Sequence, residues 1–399
     1  MDPTRHAPAF VARVFIVLIV AATMTLTVGV GDAAAAPTWT IQSTPNPTGA
    51  KGTTLRAVDC PAATACTAVG DYTSSSDANL SLAERWNGSS WVIQPTPNPA
   101  GGTNNRFNAV SCPTTAVCTA VGRTYNAGNG QYSLVERWNG TSWVLQSAPR
   151  PTGSILTEFF GVSCATATSC IAVGEYRNAS NTYLTLAERW NGTSWTIKST
   201  PNPAGATFPT LQAVSCTSAT ACTAVGTYTN ASGTDVTLAE RWNGTTWVIQ
   251  PTPNHAGATG SYLQGVSCTS ATACTATGGY FNSAGTLLTL AERWNGSTWT
   301  IQSTPNRTGA TENYLYAVSC TSATACTATG SDQNSSNITV TLVEQWNGTA
   351  WVIKPSPNPV GAAVSALYSV SCSAAAVCTA TGESRTSTGV FKTLAERYA

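Results

Sequence analysis

Asp71, Arg123, Glu175 and Glu383 share one slot, each following a glycine that closes a strand in a repeat of 52 residues. The other copies hold Thr227, Gly279 and Ser331 there, so the charges fall on four consecutive copies if the array closes on itself. Arg56 and Arg106 lie on neighbouring first strands. Carboxylates flanking arginines could bind a polar ligand, or supply the acid and base of a glycosidase-like reaction. The competing reading is a solvated rim of compensating charges. One residue further on stand Tyr72, Tyr176, Tyr228 and Tyr280, and the first strands begin with Phe107, Phe159, Phe160, Tyr262, Tyr314, Tyr316 and Tyr368. Tyrosine mixed with Asn, Ser and Thr suits stacking on and hydrogen bonding to sugars, although it also describes ordinary β-rich loops.

Other chemistries lack their residues. His255 is the one histidine beyond residue 36, so a Ser-His-Asp or Cys-His site would have only that base to use, and the paired cysteines are already committed. No phosphate-cradling glycine loop or metal-ligand cluster is present, so neither cofactor nor metal is expected. Charged residues make up 9% of the chain and the net charge is +1, which argues against nucleic acid as a partner.

These residues depend on the repeat for their positions. The phrase Leu82-Ala83-Glu84-Arg85-Trp86-Asn87-Gly88-Ser89-Ser90-Trp91 returns at Trp138/Trp143, Trp190/Trp195, Trp242/Trp247, Trp294/Trp299 and Trp346/Trp351. Asn-Gly between β-prone runs predicts a hairpin with a type I′ turn, and any even-length loop puts both tryptophans on one face. That patch must be buried, and the copies can bury it against one another. Stacking platforms for sugars are the alternative use of the same tryptophans. The second copy shows the unit: Phe107 to Cys112, Cys118 to about Tyr125, Tyr132 to Trp138 and Trp143 to Ser147 read as four short antiparallel strands.

The seventh copy stops at Tyr398, in the slot of the first tryptophan, and its missing fourth strand stands at the other end as Trp39 to Pro45. A closed ring explains this cut, whereas an open solenoid would need capping repeats. The expectation is an all-β, seven-bladed β-propeller over residues 37–399, four antiparallel strands per blade, with the N-terminal strand completing the last blade. Four-stranded repeats with a Gly-x-[Ser/Thr]-Trp hairpin resemble the secreted propellers of the Asp-box (sialidase-type) and Kelch-like groups. The resemblance implies the propeller fold and an extracellular setting. The Asp-box acidic slot is occupied here by Trp86, Trp138 and their equivalents, so no catalytic residue is carried over.

Residues 1–36 read as a cleaved export signal, with Arg5, His6 and Arg13 before an apolar run from Val14 to about Val30 and small residues at Ala33 to Ala36. An uncleaved anchor is the rival, but the run is short for a span. The fourteen cysteines form seven pairs at the same period: Cys60/Cys66, Cys112/Cys118, Cys164/Cys170, Cys216/Cys222, Cys268/Cys274, Cys320/Cys326 and Cys372/Cys378. In an exported chain these are expected to be disulfides, each worth about 2 kcal/mol by loop entropy. The repeated Glu-Arg pair predicts a ring of ion pairs between copies, broken at Gln345, rather than seven ligand carboxylates. Six Trp-Asn-Gly-[Ser/Thr] turns match the N-glycosylation sequon, a match that a repeating turn produces unaided.

Function should lie where the copies differ, in the loops joining strands two to three and four to one. The expected product is a secreted monomer that binds extracellular glycan or cell-envelope material without catalysis and leaves the membrane once the signal is removed. A carbohydrate-active enzyme using Asp71, Glu175 and Glu383, or a scaffold for another secreted protein, is the alternative.

Overall fold

Runs such as Ala221–Thr229 (ACTAVGTYT) combine small and β-branched residues with no polar face, the pattern of a strand covered on both sides. The computed structural model describes residues 36–399, which hold 28 strands and no helix. The export-signal reading falls outside the described residues apart from Ala36. Pro37–Ala399 forms one compact unit.

The first strand, β1 (Trp39–Gln42), is followed by the first full copy: β2 (Gly52–Ala62), β3 (Ala65–Thr73), β4 (Asn79–Trp86) and β5 (Trp91–Gln94). Strands β2 to β5 form an antiparallel meander, and later copies repeat it at matching registers. The last copy supplies Val364–Ala374, Val377–Arg385 and Phe391–Tyr398, and β1 pairs antiparallel with the last of these, Trp39 opposite Tyr398. The split hairpin is thus rejoined across the termini, with the Trp39 and Tyr398 ring centroids 5.4 Å apart.

The hairpin turn differs from expectation. Trp86 pairs with Trp91, so the loop is the four residues Asn87 to Ser90 rather than a two-residue type I′ turn. Asn87 keeps a negative φ because its side-chain oxygen accepts the N–H groups of Ser89 and Ser90, at 2.9 Å each. Only Gly88, at φ 98°, needs the left-handed region. The even loop length still places both tryptophans on one face, in contact at 5.8 Å.

That face is buried by the neighbouring copy. Trp138 and Trp143 pack with Phe107 and Leu134 of their own copy and with Ala57, Val69 and Ala83 of the preceding one. Equivalent clusters recur along the chain, and the cluster around Trp86 and Trp91 takes Ala395 from the last copy. The tryptophans are 3–8% exposed, which removes them as sugar platforms. A polar stitch accompanies each contact. The amides of Cys164, Cys216, Cys268, Cys320 and Cys372 donate to the serine hydroxyl of the copy before, at 2.9–3.0 Å. Cys112 N donates to Asp59 at 2.6 Å, and Cys60 N donates to Ser371 of the last copy at 2.9 Å.

The seven cysteine pairs are all disulfides, which fits an oxidising, extracellular compartment. The pairing expected from the spacing is thus the one found, and nine of the fourteen cysteines are also buried core. The second cysteine of each pair, Cys66, Cys118, Cys170, Cys222, Cys274, Cys326 or Cys378, is only 1–4% exposed. Register is the reason. Cys66 stands opposite Trp86, Cys170 opposite Trp190, Cys222 opposite Trp242, Cys274 opposite Trp294 and Cys378 opposite Tyr398. Cys118 and Cys326 likewise face Trp138 and Trp346. Residues directly opposite in a pair of strands share a face, so each of these sulfurs enters the packing cluster of its own copy. The bridges therefore hold strands and fill core, and none of these seven sulfurs presents itself to a ligand.

The expected Glu-Arg ion-pair ring is absent among the described residues. Adjacent strand residues point to opposite neighbours, and each partner finds something other than the opposite charge. Arg85, Arg137, Arg241, Arg293 and Arg397 lie 4.6–5.4 Å from the first tryptophan of the next copy. Each also donates to a carbonyl in that copy's cysteine turn. The glutamates Glu84, Glu136, Glu188, Glu240, Glu292, Glu344 and Glu396 are fully buried without a cation. Burial pushes each carboxyl up to about 8. Hydroxyls of the preceding copy face some of them, such as Ser356 Oγ, 2.7 Å from Glu396 Oε2. Where Gln345 replaces arginine, a cavity of about 200 Å³ opens beside Trp346 and Ala375.

Candidate functional site

The first strand of every copy carries a β-bulge that its sequence does not advertise. Register shifts fall between Leu55/Ala57, Phe107/Ala109, Phe159/Gly161, Leu211/Ala213, Leu263/Gly265, Leu315/Ala317 and Leu367/Ser369. The unpaired residue in each is Arg56, Asn108, Phe160, Gln212, Gln264, Tyr316 or Tyr368. A bulge re-aims its side chain, and these seven together line one cavity of about 210 Å³. The two residues after each bulge extend the same opening inward. Opposite the bulge the second strand needs glycine. A Cβ on Gly70, Gly122, Gly174, Gly226, Gly278, Gly330 or Gly382 would run into the first-strand carbonyl.

Around this opening the structure brings together most of the expected charged residues, half-buried and paired rather than as a freely solvated rim. Arg56 Nε meets Asp71 Oδ1 at 2.6 Å. Arg106 and Arg123 converge on Glu158, at 2.9 and 3.3 Å. Glu158 is 3% exposed and also accepts from Asn108 at 2.9 Å and Gln131 at 2.6 Å. Glu383 accepts from Tyr368 Oη at 2.8 Å and from Thr54 Oγ1 at 2.6 Å. Burial, and after it the charge of Glu158, pushes the Glu175 carboxyl up to about 7, against a hydrogen bond from Thr210. Tyr368, Tyr316 and Tyr314 form an aromatic chain with centroids 5.2 and 5.0 Å apart.

Tyr72, Tyr176, Tyr228 and Tyr280 stay away from this group. As the strand alternation dictates, they turn to the opposite face and pack beside the hydrophobic clusters of their own copies. Tyr280 there stacks on His255 at 4.0 Å. Phe107 and Phe159 are wholly buried core.

Glu158 is the residue that reading the sequence alone passed over, and a signal for it existed. In four copies the residue after the second-strand glycine meets the same first-strand slot of the next copy: Glu383 meets Thr54, Arg123 meets Glu158, Glu175 meets Thr210 and Gly279 meets Tyr314. These pairs are complementary in charge or size, which single-slot comparison conceals.

No family model and no curated protein sequence matches the chain, so the Asp-box and Kelch-like resemblance stands on architecture alone. Among solved structures, the polysaccharide lyase Uly1 aligns at TM-score 0.50 and 11% identity, over 86% of this chain and 89% of that one. A Trypanosoma rangeli sialidase aligns at TM-score 0.47 and 10% identity, over 78% of this chain, which spans 55% of the sialidase. At this identity the likeness to the lyase bears on the fold alone.

Proposed function

We propose that residues 37–399 form a closed seven-bladed β-propeller, exported from the cell, that binds extracellular glycan or cell-envelope material at the mouth of its central channel. The carrying observation is the set of bulge residues. One equivalent position from each copy converges on one opening, yet the seven hold Arg, Asn, Phe, Gln, Gln, Tyr and Tyr. Packing positions repeat almost unchanged, so packing does not account for this variety. Amides beside aromatic rings provide in-plane hydrogen bonds and stacking faces, the mixture that orients a polar, neutral ligand. Closure is supported by the pairing of β1 with the last strand and by the Cys60 to Ser371 stitch.

A second reading has one observation in its favour. A carboxyl near 7 with a second carboxyl group beside it is suited to acid catalysis, and Glu175 beside Glu158 has that character. The test is a glycan array and a polysaccharide turnover panel on the mature chain, with Phe160→Ala and Gln212→Ala beside it. The binding reading expects array signal without turnover and at least a tenfold weaker signal in both variants. Turnover abolished by Glu175→Gln would establish the enzyme instead. Signal unchanged in both alanine variants would move binding away from the channel mouth.

A further inference from the structure

Copies five and six enclose a second opening that borders the channel mouth. Its volume is about 320 Å³, and its walls include Gln264, Glu312, Tyr314, Tyr316, Ser331 and Gln333. Gln264 and Tyr316 also line the channel mouth, so the two spaces share a wall. This cleft exists because of one departure from the repeat. At the slot where other copies carry Asp71, Arg123 or Glu175, copy five has Gly279, and a Cβ there would lie 2.5 Å from Tyr314 Cδ2. The missing side chain lets the Tyr314 ring lie against the copy-five strand, where a side chain would otherwise stand. Tyr314 then meets Tyr316 at 5.0 Å with the rings inclined by 53°. The cleft therefore presents two aromatic rings at an angle, two amides, a serine hydroxyl and one exposed carboxylate.

We infer that this cleft is a saccharide subsite that takes a pyranose unit bearing no acidic group, uncharged or amine-bearing, within the glycan-binding reading given above. The volume lies in the range of small-molecule sites and is ample for a single sugar ring. Tyrosine faces accept the apolar face of a pyranose, and the Gln264, Gln333 and Ser331 side chains match a ring of hydroxyls in donors and acceptors. Charge sets the selectivity. Among the described residues, Glu312 is the only charged one in the lining and no cation accompanies it, so a uronic or sialic acid carboxylate would meet repulsion and no partner. An ammonium group would instead find a carboxylate. Because Gln264 and Tyr316 border both spaces, the next unit of an oligosaccharide is directed toward the ring of bulge residues.

The experiment measures binding of three probes to the mature chain by titration calorimetry: cellopentaose, a fully deacetylated glucosamine pentamer and a galacturonic acid pentamer. Wild type is expected to bind at least one of the first two and to bind the acidic probe at least tenfold more weakly. Glu312 is solvent-exposed, so Glu312→Lys folds normally. It is expected to weaken the amine-bearing probe and strengthen the acidic one, each about tenfold. Gly279→Leu displaces Tyr314 and is expected to remove binding of every probe the wild type takes. Thr339→Trp, which fills the cleft from its wall, covers the case in which Gly279→Leu fails to fold. Unchanged binding in Glu312→Lys and Thr339→Trp overturns the subsite and leaves glycan recognition at the channel mouth intact. Preference for the acidic probe also overturns it. A wild type that binds no glycan on the array overturns the broader reading and this one with it.

Discussion

The melting temperature of the protein is expected to fall steadily as pH rises from 5 to 8 and then to level off. Seven glutamates sit fully buried beside no cation, and burial holds each carboxyl near 8 in the folded chain. In the unfolded chain a glutamate titrates near its ordinary value of about 4.3. Between those two values the folded state holds the proton and the unfolded state does not. The stabilisation is therefore complete below about pH 4, declines across the window, and is gone once pH passes the folded value. The slope for one such group is about 1.4 kcal/mol per pH unit. Even a quarter of that from each of seven groups amounts to roughly 2 kcal/mol per pH unit. Glu188→Gln keeps the shape and removes the titration. Its melting curve is expected to match wild type at pH 5 and to lie above it at pH 8.5, by about 1 kcal/mol. A Glu188→Gln protein less stable than wild type at pH 8.5 would restore the ion-pair ring that the geometry argues against.

The second large effect is expected at Glu158. Removing that carboxylate leaves Arg106 and Arg123 facing each other without a counter-charge, and strips an acceptor from Asn108 and Gln131. Breaking a buried pair costs roughly 3–5 kcal/mol. The two arginine side chains retain 23% and 20% exposure, so water relieves part of that and Glu158→Ala is expected to cost about 3 kcal/mol in denaturant melts. Arg123→Ala should cost much less, because Arg106 remains paired. The double variant Glu158→Ala/Arg123→Ala should recover part of the loss, since one stranded cation is gone. Equal costs for Glu158→Ala and Arg123→Ala would contradict a network centred on the carboxylate.

The contrast between these residues and the repeat shows what a sequence discloses about a molecule of this kind. The tryptophan hairpins, the cysteine pairs and the partnership of Trp39 with Tyr398 repeat at one spacing, and a spacing is visible without coordinates. The bulge is different. Arg56 sits between Leu55 and Ala57 with no break in the strand pattern, because a bulge adds a residue without adding a turn signal. Its trace lies on the other strand, in the glycine held at the same slot of every copy, which the first-strand carbonyl cannot approach past any side chain. The charged cluster was half legible. Asp71, Arg123, Glu175 and Glu383 could be placed on adjacent copies, but their partners depend on which first-strand slot each copy presents to the one before. The Glu-Arg pairing failed for a related reason. Five of the six arginines found a π face and a carbonyl on the neighbouring copy, so the carboxylate one position away was left among hydroxyls and apolar side chains.

The proposed binding site rests on the proposal that the seven copies close into one ring, which accounts for seven unlike bulge residues lining a single opening. The most direct measurement replaces Thr40 and Arg397, which stand opposite each other in the pairing of β1 with the last strand, by cysteines. After mild oxidation, mass spectrometry of the unreduced chain is expected to show an eighth disulfide within the monomer, joining peptides from the two termini. Two free thiols, or disulfides joining separate molecules, would contradict closure and with it the shared channel mouth.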